Sequence, residues 1–214
     1  MVFQVESENL LEVRITKPKS RESLKKFANK IREILGLSTD QLFVDVLLCL
    51  EVLIPKIDPD FQFVILEANY INRPNEAFFH PKNNTVYVRS DIYEKAGDED
   101  GRARFTIAHE IAHYFLFKNF GIPYFENWEK VMNNSDPTLH SMDPEWQADV
   151  VANYLLCESD SIRDLSEEDI VFYCGVSHNA AYTAWRNANG KKYVDYSAIF
   201  KGKSFTDFFA DCTK

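Results

Sequence analysis

The sequence predicts an α+β fold that is mostly helical, with one small antiparallel sheet and a helical C-terminal part. Apolar residues recur at helical spacing over most of the chain, and capping residues and glycines mark where these runs begin and end. Runs with strand-like composition are few and short, and three of them fall between residues 61 and 89. With 45% hydrophobic residues, a chain of 214 residues is long enough to bury a core.

Five short runs favour strands because they are rich in β-branched and aromatic residues. The turn-forming sequence Pro81-Lys82-Asn83-Asn84 separates the last two runs and predicts a hairpin. We expect this hairpin and the run before it to form one small sheet. The predicted strands are residues 2–5, residues 10–15, Phe61–Ala68, Ala77–His80 and Thr85–Arg89.

Seven segments predict helices. They run from Ser20 to Leu35, Ser38 to Ile54, about Asp91 to Gly97, Arg102 to Lys118, Pro144 to about Leu156, Ser166 to Gly175 and Ser177 to Ala188. The first is amphipathic and Gly36 closes it. Ser38 and Gln41 have the spacing of a capping box, so we expect the second helix to begin at Ser38 and Pro55 to stop it.

The later helices have similar signals. We expect Asp98 to cap the helix that begins near Arg102. Asp143 precedes Pro144, which suits the first position of a helix because proline has no N–H to leave unpaired. The chain is expected to divide into an N-terminal strand and helical region (1–60), a core (61–160) and a C-terminal helical region (161–214) packed as one unit with the core.

Charge and composition argue against several classes of protein. The chain has 24 Lys and Arg against 33 Asp and Glu, and a net charge of -9 opposes binding to a phosphate backbone. The most apolar stretch, from Leu42 to Ile54, is too short to span a bilayer. No secretory leader pattern is present, and four widely spaced cysteines, expected to be buried thiols, suit the cytoplasm. We therefore expect a cytoplasmic protein that binds neither nucleic acid nor membrane.

The helix from Arg102 to Lys118 contains the motif His109-Glu110-Ile111-Ala112-His113. Residues four apart on an α-helix differ by only about 40° around its axis, so both imidazoles face the same way and can bind one ion. Zinc binds neutral imidazole nitrogen readily, and a third protein ligand and a water complete an open site. His109 and His113 are therefore predicted metal ligands.

Glu110 is predicted to be the catalytic base. It lies roughly 100° around the helix from His109, which makes it a poor ligand from the same turn. Zinc lowers the pKa of a bound water to about 7, and a nearby carboxylate can accept its proton during attack on a peptide carbonyl. The motif thus supplies ligands for the ion and a base for the water.

The third ligand must come from another segment. Leu116 and Asn119 occupy the positions that an extended H-E-x-x-H-x-x-G-x-x-H pattern would need. Glu145 and Asp149 are four apart on a predicted helix, so one can bind the metal while the other accepts a hydrogen bond from a ligating histidine. We assign Glu145 to the metal and Asp149 to the histidine.

Three other residues remain rival ligands, because spacing along the sequence does not fix the distance between two helices joined by a long loop. They are His140, Glu126 and Glu129.

The motif resembles the ImmA/IrrE family of metallopeptidases, in which R-F-T-x-A-H-E-x-x-H-Y is followed by a helix of the form E-x-x-A-[ND]. The first block matches Arg104 to Tyr114, and the hairpin strand from Asn84 to Val88 also looks like that family. Val151, Cys157 and Glu158 depart from the family pattern but are not proposed ligands. The second block matches at Glu145, Ala148, Asp149, Ala152, Leu155 and Leu156.

The resemblance implies a zincin-like fold, one Zn²⁺ (or Mn²⁺) and site-specific cleavage of a protein partner. In that family the partner is typically a helix-turn-helix repressor of phage, mobile-element or stress-response genes. The acidic charge agrees with a basic partner. An edge strand of the sheet would receive the substrate, and the residues expected to do so are Thr85, Val86, Tyr87, Val88 and Arg89.

Alternative interpretations remain. The metal could fix the fold of a non-catalytic interaction module of a toxin-antitoxin or repressor system. The segment from Ser166 to Ala188 resembles a helix-turn-helix, although it has few basic groups. His80, at the hairpin turn, is expected to be solvent-exposed. The candidate stabilisers of a negatively charged transition state are His140, His178, Tyr114 and Tyr154.

Overall fold

A computed structural model describes residues 19–68, 76–120, 141 and 143–190, and it confirms the α+β, mostly helical fold. The strands predicted at residues 2–5 and 10–15 lie outside these residues. The helices are α1 (Arg21–Ile34), α2 (Val46–Leu48), α3 (Ile54–Ile57), α4 (Ser90–Gly97), α5 (Gly101–Phe120), α6 (Pro144–Leu156), α7 (Glu167–Cys174) and α8 (His178–Ala188). The strands are β1 (Gln62–Leu66), β2 (Ala77–His80) and β3 (Thr85–Arg89).

The sheet is mixed, with the strand order β1-β3-β2. The hairpin of β2 and β3 is antiparallel as predicted, but β1 pairs with β3 in parallel. The chain reverses twice between β1 and β3, so these two strands run in the same direction. The expectation that Thr85–Arg89 is an edge strand is wrong, because β3 has a strand on each side and its backbone groups are used on both.

The first helix forms as predicted, but the second does not begin at Ser38. The Ser20 hydroxyl accepts a hydrogen bond from the Ser23 N–H at the start of α1, and Gly36 follows the helix with φ of 71°. Buried Arg32 donates to the carbonyls of Ser38 and Gln41, at 2.8 and 2.6 Å. These bonds hold the segment against α1 in a non-helical conformation.

The helix after this segment begins at Val46 and passes through Pro55. The Asp45 carboxylate accepts hydrogen bonds from the N–H groups of the next turn, which makes it the N-cap. Between α2 and α3 the chain forms a π-helix over Cys49–Leu53. The prediction that Pro55 ends the helix is wrong because this widened turn leads directly into α3, where the proline lies in the first turn and needs no N–H partner.

The predicted cap of α5 is also displaced. The Asp100 carboxylate, rather than Asp98, accepts from the Ala103 N–H at 2.8 Å. Gly101 begins the helix against the α7–α8 turn, where an added Cβ would lie 2.4 Å from the Val176 carbonyl carbon. Only glycine permits this approach, and it brings the N-terminus of α5 into contact with the C-terminal helices.

The remaining helices begin as predicted. Asp143 caps α6 by accepting from the Glu145 N–H at 3.0 Å. Ser166 and Asp169 form a reciprocal capping box at the start of α7. Gly175 ends α7 in the left-handed conformation, with φ of 60°, and Ser177 then caps α8. The short turn between α7 and α8 therefore follows from local sequence.

One hydrophobic core joins these elements. α5 and α6 pack against each other, α1 also packs against α6, and β2 and β3 contact α5. Cys49, Cys157 and Cys174 are buried thiols, as predicted, and Cys212 lies outside the described residues. Representative core residues are Leu24, Ile31, Leu50, Val86, Ile107, Ile111, Val151, Leu155, Ile170 and Ala181.

In the part of the chain that the structure describes, no helix combines the length and the apolar character needed to cross a membrane.

Candidate metal centre

Two adjacent helices place the predicted ligands in one site. His109 and His113 lie one turn apart on α5, and Glu145 lies in the first turn of α6, the helix packed against α5. Asp143 fixes the start of α6 and therefore the position of Glu145 along it. The two histidines and the carboxylate thus come together from helices separated by many residues of loop.

The potential ligand atoms converge closely. The Nε2 atoms of His109 and His113 are 2.9 Å apart. Glu145 Oε2 lies 3.1 Å from the Nε2 of His109 and 3.4 Å from that of His113. The cluster satisfies the geometric requirement for a shared ion, with one ligand atom per residue and all of them within 4.8 Å of one another.

Asp149 holds the first histidine from its other side. Its Oδ1 lies 2.8 Å from His109 Nδ1, one turn along α6 from Glu145. In the tautomer with a hydrogen on Nδ1, this N–H forms a hydrogen bond to the carboxylate. The lone pair of Nε2 is then directed towards Glu145 and His113. The position predicted for Asp149 is therefore the one the structure gives it.

The electrostatics of the cluster favour a positive charge at its centre. Burial opposes protonation of His109, but hydrogen bonds with Asp149 and Glu145 prevail and raise its pKa to about 10. Hydrogen bonds from both histidines lower the pKa of Glu145. In the absence of a metal, protonated His109 supplies a positive charge next to the carboxylates of Glu145 and Asp149.

The Glu110 carboxylate is hydrogen-bonded to the sheet. Its Oε2 accepts a hydrogen bond of 2.7 Å from the Phe79 N–H on β2, and the residue is 9% exposed. It does not belong to the group of three possible ligands. This agrees with the expectation that it is not a ligand, although the role of base remains a prediction.

The cluster is open on the side of α6. The side chain of Glu145 is 68% exposed and that of Asp149 is 57% exposed, whereas His109 and His113 are 16% and 21% exposed. The histidines are therefore anchored in the fold, while the carboxylate side faces solvent. A metal held here would keep room for a water or a substrate.

The group His109, His113 and Glu145 could hold a metal ion. Two imidazole nitrogens with one carboxylate oxygen suit zinc and similar transition metals better than calcium or magnesium, which favour oxygen ligands. The rival ligands His140, Glu126 and Glu129 lie outside the described residues.

The other candidates for stabilising negative charge have different environments. The Tyr114 hydroxyl donates to Asp58 at 2.8 Å, which commits its proton elsewhere. Tyr154 is buried, and His178 lies exposed in the first turn of α8. His80 is half-buried at the end of β2 rather than exposed in the turn, because it pairs across the hairpin with Thr85.

Sequence reasoning did not identify two groups that position the site. One is the backbone N–H of Phe79, for which no sequence signal exists because any residue except proline supplies it. The other is Arg104, whose guanidinium is buried and donates to the carbonyls of Val44 and Gly175 at 2.9 and 2.8 Å. An arginine within an apolar helix was a usable signal for such a buried contact.

Comparison with known proteins yields little. No family model matches the sequence, and no curated protein matches it. One solved structure, titled "Mycobacterium tuberculosis transcriptional regulator", is similar over 75% of this chain and 45% of that chain, with 12% sequence identity and a TM-score of 0.49. This chain thus spans less than half of that protein, and the likeness carries no argument.

Proposed function

We propose that the chain is a zinc-dependent endopeptidase that hydrolyses a peptide bond in a protein partner. One observation supports this most directly. Two histidines and a carboxylate converge on one point, and the glutamate between the histidines is hydrogen-bonded to β2. A purely structural zinc site has no need of that glutamate, which makes hydrolysis the better explanation.

The ligand set would leave zinc with an open position. His109, His113 and Glu145 supply three ligands, the number found in catalytic rather than structural zinc sites. When bound, zinc would polarise a substrate carbonyl and acidify a water. Asp149 would hold His109 in the tautomer that offers Nε2 to the ion.

Glu110 would act as the general base and then as the acid. Its carboxylate would take a proton from the attacking water and deliver it to the nitrogen of the leaving amine. Its Oε2 accepts from the Phe79 N–H, so the edge strand orients the base. Manganese could substitute for zinc with the same ligands.

The substrate would bind along β2 rather than along Thr85–Arg89. Among the described residues β2 has a strand on one side only, and it packs against α5. The Phe79 N–H points away from β3 and towards Glu110. An extended peptide added to this edge would place its backbone beside the metal cluster.

We further propose that the partner is a repressor-like regulator in the cytoplasm. A helix-turn-helix protein has a basic DNA-binding surface, which a chain with a net charge of -9 attracts. The resemblance of the two motif blocks to ImmA/IrrE metallopeptidases supports the same class of substrate. This part of the proposal depends on sequence resemblance and charge.

Substitution of Glu110 by glutamine tests the function. The purified zinc-loaded protein would be incubated with the helix-turn-helix regulators encoded beside its gene, and products would be identified by mass spectrometry. We expect Glu110→Gln to retain zinc and to lower the cleavage rate by on the order of a thousandfold, because the water loses its base.

Glu168→Gln is the matched control, since Glu168 is an exposed glutamate on α7. It should cleave at the wild-type rate. Undiminished cleavage by Glu110→Gln would remove the proposed base. Stoichiometric zinc without cleavage of any of these regulators by the wild type would favour the non-catalytic interaction module instead.

A further inference from the structure

A cavity of about 510 Å³ lies between α5, α6, α8 and the first residue of α1. Phe105 and Asp149 contribute to its wall from α5 and α6, and Asn179 contributes from α8. Sites for small molecules in proteins have volumes of roughly 300–1,000 Å³. The cavity is therefore large enough for a ligand well beyond the size of a single ion.

The cavity is next to the metal cluster without being part of it. Neither histidine, nor Glu110, nor Glu145 lines it, whereas Asp149 does. Asp149 accepts from His109 Nδ1, and the possible metal position is on the Nε2 side of the same ring. The cavity thus lies behind the histidine, on the side away from the ion.

The walls carry more positive than negative charge, in contrast to the chain as a whole. Arg21 and Arg102 line the cavity, and Asp149, the only acid among the described lining residues, is engaged with His109. The Arg21 guanidinium lies over the Trp146 ring, 5.5 Å from its centroid, and Arg102 pairs with Glu76. The N-terminal turn of α8 adds partial positive charge, so an anionic group is favoured here.

An amide and two aromatic side chains lie in the same wall. Asn153 is 5% exposed, and its Nδ2 donates to the Ala180 carbonyl at 3.1 Å. Its Oδ1 is buried and has no hydrogen-bond partner among the described residues. It exposes almost no surface, so a ligand in the cavity does not reach it. Phe105 and Trp146 add aromatic surface to the cavity.

We propose that this cavity binds a small ligand in which an anionic group is joined to a planar aromatic ring. The anion would contact Arg21 and Arg102, and the ring would pack on Phe105 and Trp146. A mononucleotide and an aromatic amino acid both have this chemistry. The site goes beyond the peptidase function and does not depend on it.

Occupancy of the cavity would be coupled to the metal site through one side chain. Asp149 lines the same cavity, so an anion bound beside it would change how firmly this carboxylate holds His109. If the ligand changes the affinity for zinc by some factor, zinc must change the affinity for the ligand by the same factor. Binding of a small molecule in the cavity would thus change the fraction of the protein that holds a metal.

Calorimetry on the full chain tests the site with four probes: AMP, adenosine, inorganic phosphate and L-tryptophan. We expect AMP or L-tryptophan to bind with Kd below about 1 mM. Adenosine and phosphate each supply only half of the required groups and should bind at least about tenfold more weakly than AMP. The order of AMP and L-tryptophan identifies the source of the ligand.

The double variant Arg21→Ala with Arg102→Ala should weaken binding of the tighter probe at least about tenfold. The control, Lys26→Ala with Arg163→Ala, removes two positive charges from exposed positions that do not line the cavity and should leave binding unchanged. Glu110→Gln should bind the probe as the wild type does, so loss of cleavage and loss of ligand binding are separate results.

A competition titration with a zinc chelator completes the test. The tighter probe should change the zinc affinity, and zinc should change the probe affinity by an equal factor. Absence of saturable binding by all four probes overturns the proposal. It is equally overturned if the Arg21/Arg102 variant binds the tighter probe as the wild type does, or if zinc and the probe bind independently.

Discussion

Two polar clusters lie on the same helix, α5, and differ in whether their donors and acceptors have hydrogen-bond partners within the protein. Arg104, near the N-terminus, is 1% exposed and donates to backbone carbonyls, including those of Val44 and Gly175. His109 and His113, further along, are partly exposed, and with Glu145 they direct lone pairs at one point. The first cluster contains its own donors and acceptors, whereas the second needs a cation.

This difference separates a structural role from a functional one. A buried guanidinium with its donors paired holds segments of chain together and requires nothing from outside. Converging acceptors repel one another unless a proton or a metal lies between them. In the metal-free protein the pKa of His109 is raised to about 10, because a proton on this ring reduces the repulsion. We therefore expect substitutions in the two clusters to have effects of different kinds.

The largest effect is expected for His113→Ala. The variant loses one of the three proposed ligands, and its zinc affinity should fall roughly a thousandfold, as measured by competition with a chelator. Its metal-free stability should change by less than about 1 kcal/mol. His178→Ala, at an exposed histidine on α8, should bind zinc normally. Equal zinc affinity in both variants would mean that the cluster is not the metal site.

A large effect on stability, but not on metal binding, is expected for Arg104→Met. Removal of the guanidinium leaves buried carbonyls without donors, at a cost of about 3 kcal/mol in the free energy of unfolding. Urea unfolding of the metal-free protein measures this. Arg102→Met, exposed on the same helix, should cost less than about 1 kcal/mol. A similar loss of unfolding free energy in both variants would show that the buried bonds of Arg104 do not have the proposed structural role.

Asp149→Asn should weaken zinc binding by roughly 10- to 100-fold without removing it. The amide can no longer accept as a carboxylate does, so His109 loses the partner that orients its ring. Asp169→Asn, at an exposed cap of α7, is a control for carboxylate loss remote from the metal. A loss as large as that of His113→Ala would instead place Asp149 among the ligands.

The smallest effect concerns a third cluster, at the C-terminal end of α5. Burial tends to raise the pKa of Asp58, but hydrogen bonds from Lys118, Asn84 and Tyr114 prevail and lower it to about 2. A lowered carboxyl pKa stabilises the fold above the unfolded-state value of about 4, and this stabilisation is lost as the pH falls towards 2. After allowance for solvent screening, we expect about 1 kcal/mol.

Asp58→Asn should therefore be less stable than the wild type at pH 6, and the difference should shrink as the pH falls to about 2. Chemical unfolding at several pH values measures this. Asp60→Asn, an exposed neighbour, should follow the wild-type curve. A difference that persists at pH 2 would show that Asp58 acts through packing rather than charge.

Much of the fold followed from local signals. Ser20, Asp143, Ser166 and Ser177 cap helices as predicted, because a short side chain bonding to a nearby N–H needs no tertiary information. Ser38 has an equally good local signal and fails. Buried Arg32 donates hydrogen bonds to carbonyls of that segment, and this contact arises only in the folded chain.

The candidate site was predictable to the same degree. Helical spacing was enough to bring His109 and His113 together, and the two carboxylates of α6 fall where the sequence predicted them. The order of the strands was not predictable, because neighbours in sequence need not be neighbours in a sheet. The substrate strand assigned to Thr85–Arg89 therefore proved to be central.

The bond from Arg104 to the Gly175 carbonyl also has a mechanical consequence. Gly175 lies at the tip of the α7–α8 hairpin, and Phe172 on α7 is 79% exposed. At Gly101 the backbones of this hairpin and α5 are in close contact. A partner that displaced Phe172 would therefore also load α5, the helix that carries His109 and His113.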